Sequence, residues 1–189
     1  MQEIEIEFKN ILTRAEYHKL LNHFPFPNKG KIQTNFYFET KDFALRKQKS
    51  ALRIRKKDGA YRLTLKEPHP QGLLETHDIL TNEEAKAWIS GNCIPKKYTA
   101  KQLNNLNIEP SKLIYYGQLT TERYEYKKDD LLYVLDYCTY NNHEDYELEL
   151  EAKDETNGST AFQSLLREFK IPKRETPNKI QRFFETLKL

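Results

Sequence analysis

Cysteine is nearly absent: Cys93 and Cys138 are the only two in 189 residues, and neither belongs to a Cys-x-x-Cys pair. That usage excludes a disulfide framework and suits a reducing compartment, so a cytoplasmic protein is expected. Long apolar runs are also missing; none approaches the roughly 20 residues that span a bilayer. The start, Met1-Gln2-Glu3-Ile4-Glu5, is acidic where a secretory leader is basic and then apolar. Charge of one sign is lacking too, since 31 Lys plus Arg stand against 28 Asp plus Glu, leaving a formal net charge of +3. Such a balance gives no nucleic-acid coat, and no nucleic-acid module is recognisable. Neither nucleic acid nor membrane is therefore expected as a partner. There is no internal repeat and no low-complexity tract. Six Gly against twelve Tyr and ten Phe describe a packed chain rich in strand formers. Its length suits one domain over residues 1–189.

Periodicity supplies the elements. Residues 2 to 9 alternate polar and apolar, the period of a strand. Thr13 with Glu16 reads as a capping box ahead of a helix that Pro25 and Pro27 end. Residues 31 to 40 read as extended, followed by a brief amphipathic stretch at Phe43 to Leu45. Ala51–Lys57 and Ala60–Lys66 form a predicted hairpin about Asp58-Gly59, a favoured two-residue turn. Leu73–Leu80 reads as a strand and Thr81–Ser90 as a helix stopped at Gly91, with a further helix over residues 99 to 106. Three strands follow, Lys112–Lys127, Leu131–Thr139 and His143–Ala152. The chain then closes on helices, one over Ala161–Phe169 and one opened by Pro177 at a first-turn position and running through Leu187.

The charges are sorted by strand face. Glu3, Glu5 and Glu7 stand two residues apart with Lys9 at the end of the column, each about 6–7 Å from the next on one face. Glu147, Glu149 and Glu151 repeat the device while Leu148 and Leu150 point the other way. On the central hairpin Arg53 and Arg55 share a face, as do Arg62 and Lys66. Like charges repel as near neighbours, so columns segregated by sign are better explained by a ligand that carries both signs. A metal phosphate complex is such a ligand: carboxylate oxygens suit Mg²⁺ or Mn²⁺, and the arginine fork fits phosphate oxygens.

Beyond the columns, Arg123 lies in Thr-Glu-Arg-Tyr, Asp136 in Leu-Asp-Tyr, and Lys179 in Pro-Asn-Lys. With these, the ordered set resembles the CYTH domains, a family that includes class IV adenylate cyclases and thiamine triphosphatases, also called triphosphate tunnel metalloenzymes. It resembles most the small Gram-positive bacterial CYTH proteins. The match runs nearly end to end. The resemblance implies an α+β fold: a closed eight-stranded antiparallel β-barrel, the triphosphate tunnel, with outer helices. It implies metal ligands at Glu5, Glu7, Asp136, Glu147 and Glu149, and phosphate binding by Arg53, Arg55, Arg62, Lys66 and Arg123. Lys9, Lys66 and Lys179 are the catalytic candidates. Glu3 and Glu151 extend each acidic pair to a triplet, and Lys9 is the anchor for choosing Glu5 and Glu7.

The expected function is metal-dependent hydrolysis of a triphosphate, with inorganic triphosphate giving pyrophosphate and phosphate. Nucleoside triphosphate and thiamine triphosphate are the other candidate substrates. A class IV-type cyclase making cyclic AMP, and a binding module without turnover, are the competing readings. The five histidines lack metal-ligand spacing; His77, beside Glu75 on a predicted strand, is the one to watch. Cys93 and Cys138 have no His or Asp arranged for nucleophilic catalysis and read as packing residues.

Overall fold

The computed structural model describes residues 1–187. Their elements run β1 (Gln2–Leu12), α1 (Arg14–His23), β2 (Lys31–Thr40), α2 (Ala44–Lys47), β3 (Ala51–Lys57), β4 (Ala60–His69) and β5 (Gly72–Leu80). There follow α3 (Asn82–Ile89), α4 (Lys97–Asn105), β6 (Leu113–Lys128), β7 (Leu131–Tyr140), β8 (His143–Ala152), α5 (Glu155–Glu168) and α6 (Lys179–Glu185). The strands close into one antiparallel barrel in the order β1-β5-β4-β3-β2-β6-β7-β8, with the helices outside, which is the expected architecture. No helix among the described residues is long and apolar enough to cross a membrane.

Local chemistry explains most boundaries. Asp58 and Gly59 both take positive φ, 50° and 78°, so the β3–β4 hairpin closes on a turn whose twist matches its strands. Asn141 and Asn142, at 46° and 60°, do the same between β7 and β8. Thr13 and Glu16 form the expected capping box on α1, and Thr81 with Glu84 forms a second on α3. Gly91, at φ 90°, follows α3 in the left-handed conformation that ends a helix.

Several boundaries differ from expectation, among them the end of β1, which runs on past Lys9 to Leu12. β4 runs on past Lys66 to His69, with Pro68 paired opposite Leu73. α5 begins at Glu155, six residues before Ala161, capped by the Asp154 carboxylate on the Asn157 amide. α6 begins at Lys179 with Asn178 as its N-cap and ends at Glu185, so Pro177 lies ahead of the cap rather than in the first turn.

Two compact units are distinguishable, one of Met1–Ile4 and Gln33–Leu119, the other of Glu5–Ile32 and Thr120–Leu189. In the first, Leu52, Ile54, Leu63 and Leu65 face helices α3 and α4, with Trp88 and Leu103 in the same core. In the second, Leu135, Leu148 and Leu150 meet Leu20 of α1 and Phe162, Leu165 and Leu166 of α5. Successive strand residues point to opposite faces. The charged columns between these leucines are therefore turned away from α1, α3, α4 and α5, onto the inner face of the sheet. Strand alternation thus positions the site.

Candidate active site

In the first unit, cross-strand partners assemble the basic face row by row. Tyr37, Arg53, Thr64 and His77 form one row across β2, β3, β4 and β5, and Asn35, Arg55 and Arg62 form the next. Lys66 pairs with Glu75. The structure thus brings Arg53, Lys66 and Glu75 together: Glu75 Oε1 lies 2.5 Å from Lys66 Nζ and 3.7 Å from Arg53 Nη2. Burial works against the Glu75 charge, yet Arg53, Lys66 and His77 outweigh it and hold the carboxyl down at about 2. Arg55 donates from Nε to Asn35 Oδ1 at 3.1 Å. Arg62, nearer the hairpin turn, is exposed and makes no ion pair among the described residues. Donor capacity is left over here. Arg53 Nε and Asn35 Nδ2 are buried without a hydrogen-bond acceptor among the described residues.

His77 and Glu3 join this face. His77 Nε2 lies 2.8 Å from Glu3 Oε1 and 3.3 Å from Glu75 Oε2, and Nδ1 lies 3.0 Å from Thr64 Oγ1. These three side chains converge closely enough to hold a cation. Glu75, paired opposite Lys66, lies on the inner face with it.

The second unit carries the acidic face. β1 pairs with β8 so that Glu7 is opposite Glu151 and Lys9 opposite Glu149, and β7 places Asp136 opposite Glu147. Buried cations sit among these carboxylates. Arg123 donates to both oxygens of Asp136 at 2.8 and 2.6 Å and to Glu149 at 2.7 Å. Lys179 Nζ lies 2.7 Å from Glu147 and 3.0 Å from Asp136, and also contacts Glu149. Lys9 bonds Glu7 at 2.9 Å and Asn178 through its side-chain oxygen. Burial opposes charge on Arg123 and Lys179, but the surrounding carboxylates raise both well above their ordinary values. Glu149 is driven well below its ordinary value: burial opposes this, but Lys179 and Arg123 prevail. Burial, with repulsion from Glu149, pushes Glu147 up to about 7 against the pull of Lys179 and Arg182.

Asp145 and Arg182 were not singled out in the sequence. Arg182 grips Asp145 through Nε at 2.8 Å and Nη2 at 3.2 Å, reaches Glu147 at 2.5 Å, and donates to the Pro177 carbonyl oxygen. The pair fastens α6, and with it Lys179, to β8. No periodic pattern announces a partnership 37 residues apart in the chain.

The residues present fit a divalent ion. At the Glu151 end of the face negative charge is in excess: burial and the nearby Glu149, Glu5 and Glu7 push the Glu151 carboxyl up to about 7. Crowded hard oxygens of this kind are what Mg²⁺ or Mn²⁺ takes as ligands. Both cysteines are buried and unpaired, and burial pushes the Cys93 thiol up to about 11, which suits packing rather than attack.

A closed eight-stranded antiparallel barrel with outer helices defines a class of β-barrel tunnel proteins. The CYTH domain matches residues 3–184, and the chain belongs to that family. It is 46% identical over 185 residues to a Bacillus subtilis (strain 168) protein named "Putative triphosphatase YjbK", covering 97% of this chain and 96% of that one. The crystal structure of a putative adenylate cyclase from Bacillus halodurans superposes with a TM-score of 0.90 at 41% identity, covering 97% of this chain and 98% of that chain. A Hippeastrum protein, HpAC1, shares the fold with a TM-score of 0.80 at 21% identity, covering 100% of this chain and 98% of that one.

Proposed function

We propose that this chain is a divalent-metal-dependent hydrolase that converts inorganic triphosphate to pyrophosphate and phosphate in the cytoplasm. The observation that carries this reading is the spare donor capacity on the basic face. Arg53 Nε and Asn35 Nδ2 are buried and unsatisfied beside Arg55 and Lys66. A buried donor left unpaired costs roughly 1–3 kcal/mol, so a phosphate oxygen that accepts from it binds with that much in its favour. The name of the 46% identical Bacillus subtilis relative supports the same chemistry. So does HpAC1, which is named an adenylyl cyclase and described as having a dominant triphosphatase activity.

In this reading Arg53, Arg55 and Lys66 take the oxygens of the triphosphate, with Arg62 drawing the anion in from the exposed end of the hairpin. Glu5, Glu7, Asp136, Glu147 and Glu149 would hold the metal. When bound, that ion neutralises phosphate oxygens and orients water. Arg123 helps keep Glu149 ionised and holds Asp136 and Glu149 in place. Lys9, Lys66 and Lys179 offset the negative charge that grows on the leaving pyrophosphate. Water adds to the terminal phosphorus, the bridging P–O bond breaks toward pyrophosphate, and the water proton leaves with the phosphate products. Catalysis of this kind is mainly positional and electrostatic.

One observation favours a second reading, since the 41% identical Bacillus halodurans structure is named a "putative adenylate cyclase". The same groups would then serve closure of ATP to cyclic AMP with release of pyrophosphate. Chromatographic product analysis with tripolyphosphate and with ATP, under Mg²⁺, Mn²⁺ and chelator, separates the two. Phosphate and pyrophosphate from tripolyphosphate support the hydrolase; cyclic AMP from ATP replaces it with the cyclase. Tight binding with no product under any metal defeats both.

A further inference from the structure

On the opposite, helix-bearing face of the second unit lies a cavity of about 290 Å³. Tyr17, Tyr124, Tyr137 and Tyr146 line it together with Glu122 and Glu144. The rings are ordered: Tyr137 and Tyr146 stack with centroids 5.1 Å apart, and Tyr17 tilts against Tyr146 at 4.9 Å. Each carboxylate is bonded by phenol hydroxyls alone. Tyr124 donates to Glu122 at 2.8 Å, Tyr137 to Glu144 at 2.7 Å, and Tyr146 to Glu144 at 3.5 Å. The Glu144 bond pushes the Tyr137 phenol up to about 12, which keeps it an uncharged donor at neutral pH. Among the described residues no ion pair reaches either carboxylate, although Arg14 and His18 stand exposed at the same cavity. Gly30 makes the wall possible. A Cβ there would come within 2.5 Å of Glu122 Cγ and 2.7 Å of Tyr124 Cε2.

Aromatic faces attract cations through the ring quadrupole, and aromatic cages select alkylammonium groups. Two carboxylates that make no ion pair among the described residues add Coulombic attraction of the same sign. The volume lies just under the range of drug-sized pockets, so the occupant is small. From the ring geometry and these carboxylates we infer that the cavity is a binding site for a small organic cation bearing an alkylammonium group. The site shares no residue with the charged inner face and does not depend on the reaction catalysed there.

The test is titration of the full chain with choline, followed by NMR, beside 3,3-dimethylbutan-1-ol, which has the same shape without the charge. Saturable choline binding is expected, about tenfold tighter than that of the alcohol, given the 0.5 to 2 kcal/mol typical of a cation over aromatic rings. Glu144→Gln and Tyr146→Leu should each weaken it at least fivefold. Gly30→Ala should do the same by displacing Glu122 and Tyr124 from the wall without changing their chemistry, and Glu149→Gln on the inner face should not. Melting temperatures of all four variants establish that they fold. Equal affinity for the neutral alcohol, choline affinity that survives both cage substitutions, or loss in Glu149→Gln alone would each overturn the proposal.

Discussion

Individual side chains on the inner face differ in what holds them, and substitutions should separate those roles. Arg53 meets Glu75 at 3.7 Å and keeps Nε unsatisfied, so Arg53→Ala should raise KM for tripolyphosphate by about 10- to 100-fold, the worth of a charge-assisted hydrogen bond. Initial-rate kinetics checks it. Arg123 is different, because it is buried on Asp136 and Glu149 before any ligand arrives. Arg123→Ala leaves buried carboxylates unpaired and should cost about 3–5 kcal/mol in urea unfolding. Glu75 sets an acid limit. Its folded value is about 2 against an ordinary 4.5, so its stabilisation is complete above 4.5 and is lost as pH falls through about 2. The melting-temperature gap between the parent and Glu75→Gln should therefore narrow on acidification from about pH 5 to about pH 2.

The strands were the most readable elements, because a period of two leaves little room for another assignment. The Asp58-Gly59 turn and the Thr13 cap were equally plain, since each needs a particular residue chemistry. The helices after β8 were less so. α5 opens on Glu155, Thr156, Asn157 and Gly158, a polar turn with no apolar periodicity to mark it. Its reason is tertiary: Gly158 lies so close to β1 and β8 that a Cβ would come within 2.5 Å of Phe8 Cε2 and 2.6 Å of Ala152 Cβ. Gly158→Val should destabilise the fold by about 1–3 kcal/mol through overpacking, measured by chemical unfolding. Asn178 rather than Pro177 caps α6, and the Arg182–Asp145 pair that fastens the helix is a long-range contact that no local pattern encodes.

At the level of the whole chain, the sorted columns of charge were visible because strand alternation converts spacing directly into facing. What spacing could not provide was which carboxylates the protein neutralises with its own cations. Lys179 and Arg123 occupy Asp136, Glu147 and Glu149, and the crowding left over falls on Glu5, Glu7 and Glu151. The register question between the acidic triplets is thus one of charge balance. Hydrolysis of a triphosphate by these inner-face charges with a divalent ion is tested by ³¹P NMR of tripolyphosphate incubated with the protein and Mg²⁺, beside Glu7→Gln and a chelated sample. Equal amounts of pyrophosphate and phosphate are expected, with the rate reduced at least about 100-fold in Glu7→Gln and abolished by chelator. Unchanged tripolyphosphate signals in the parent, or turnover indifferent to both controls, would contradict it.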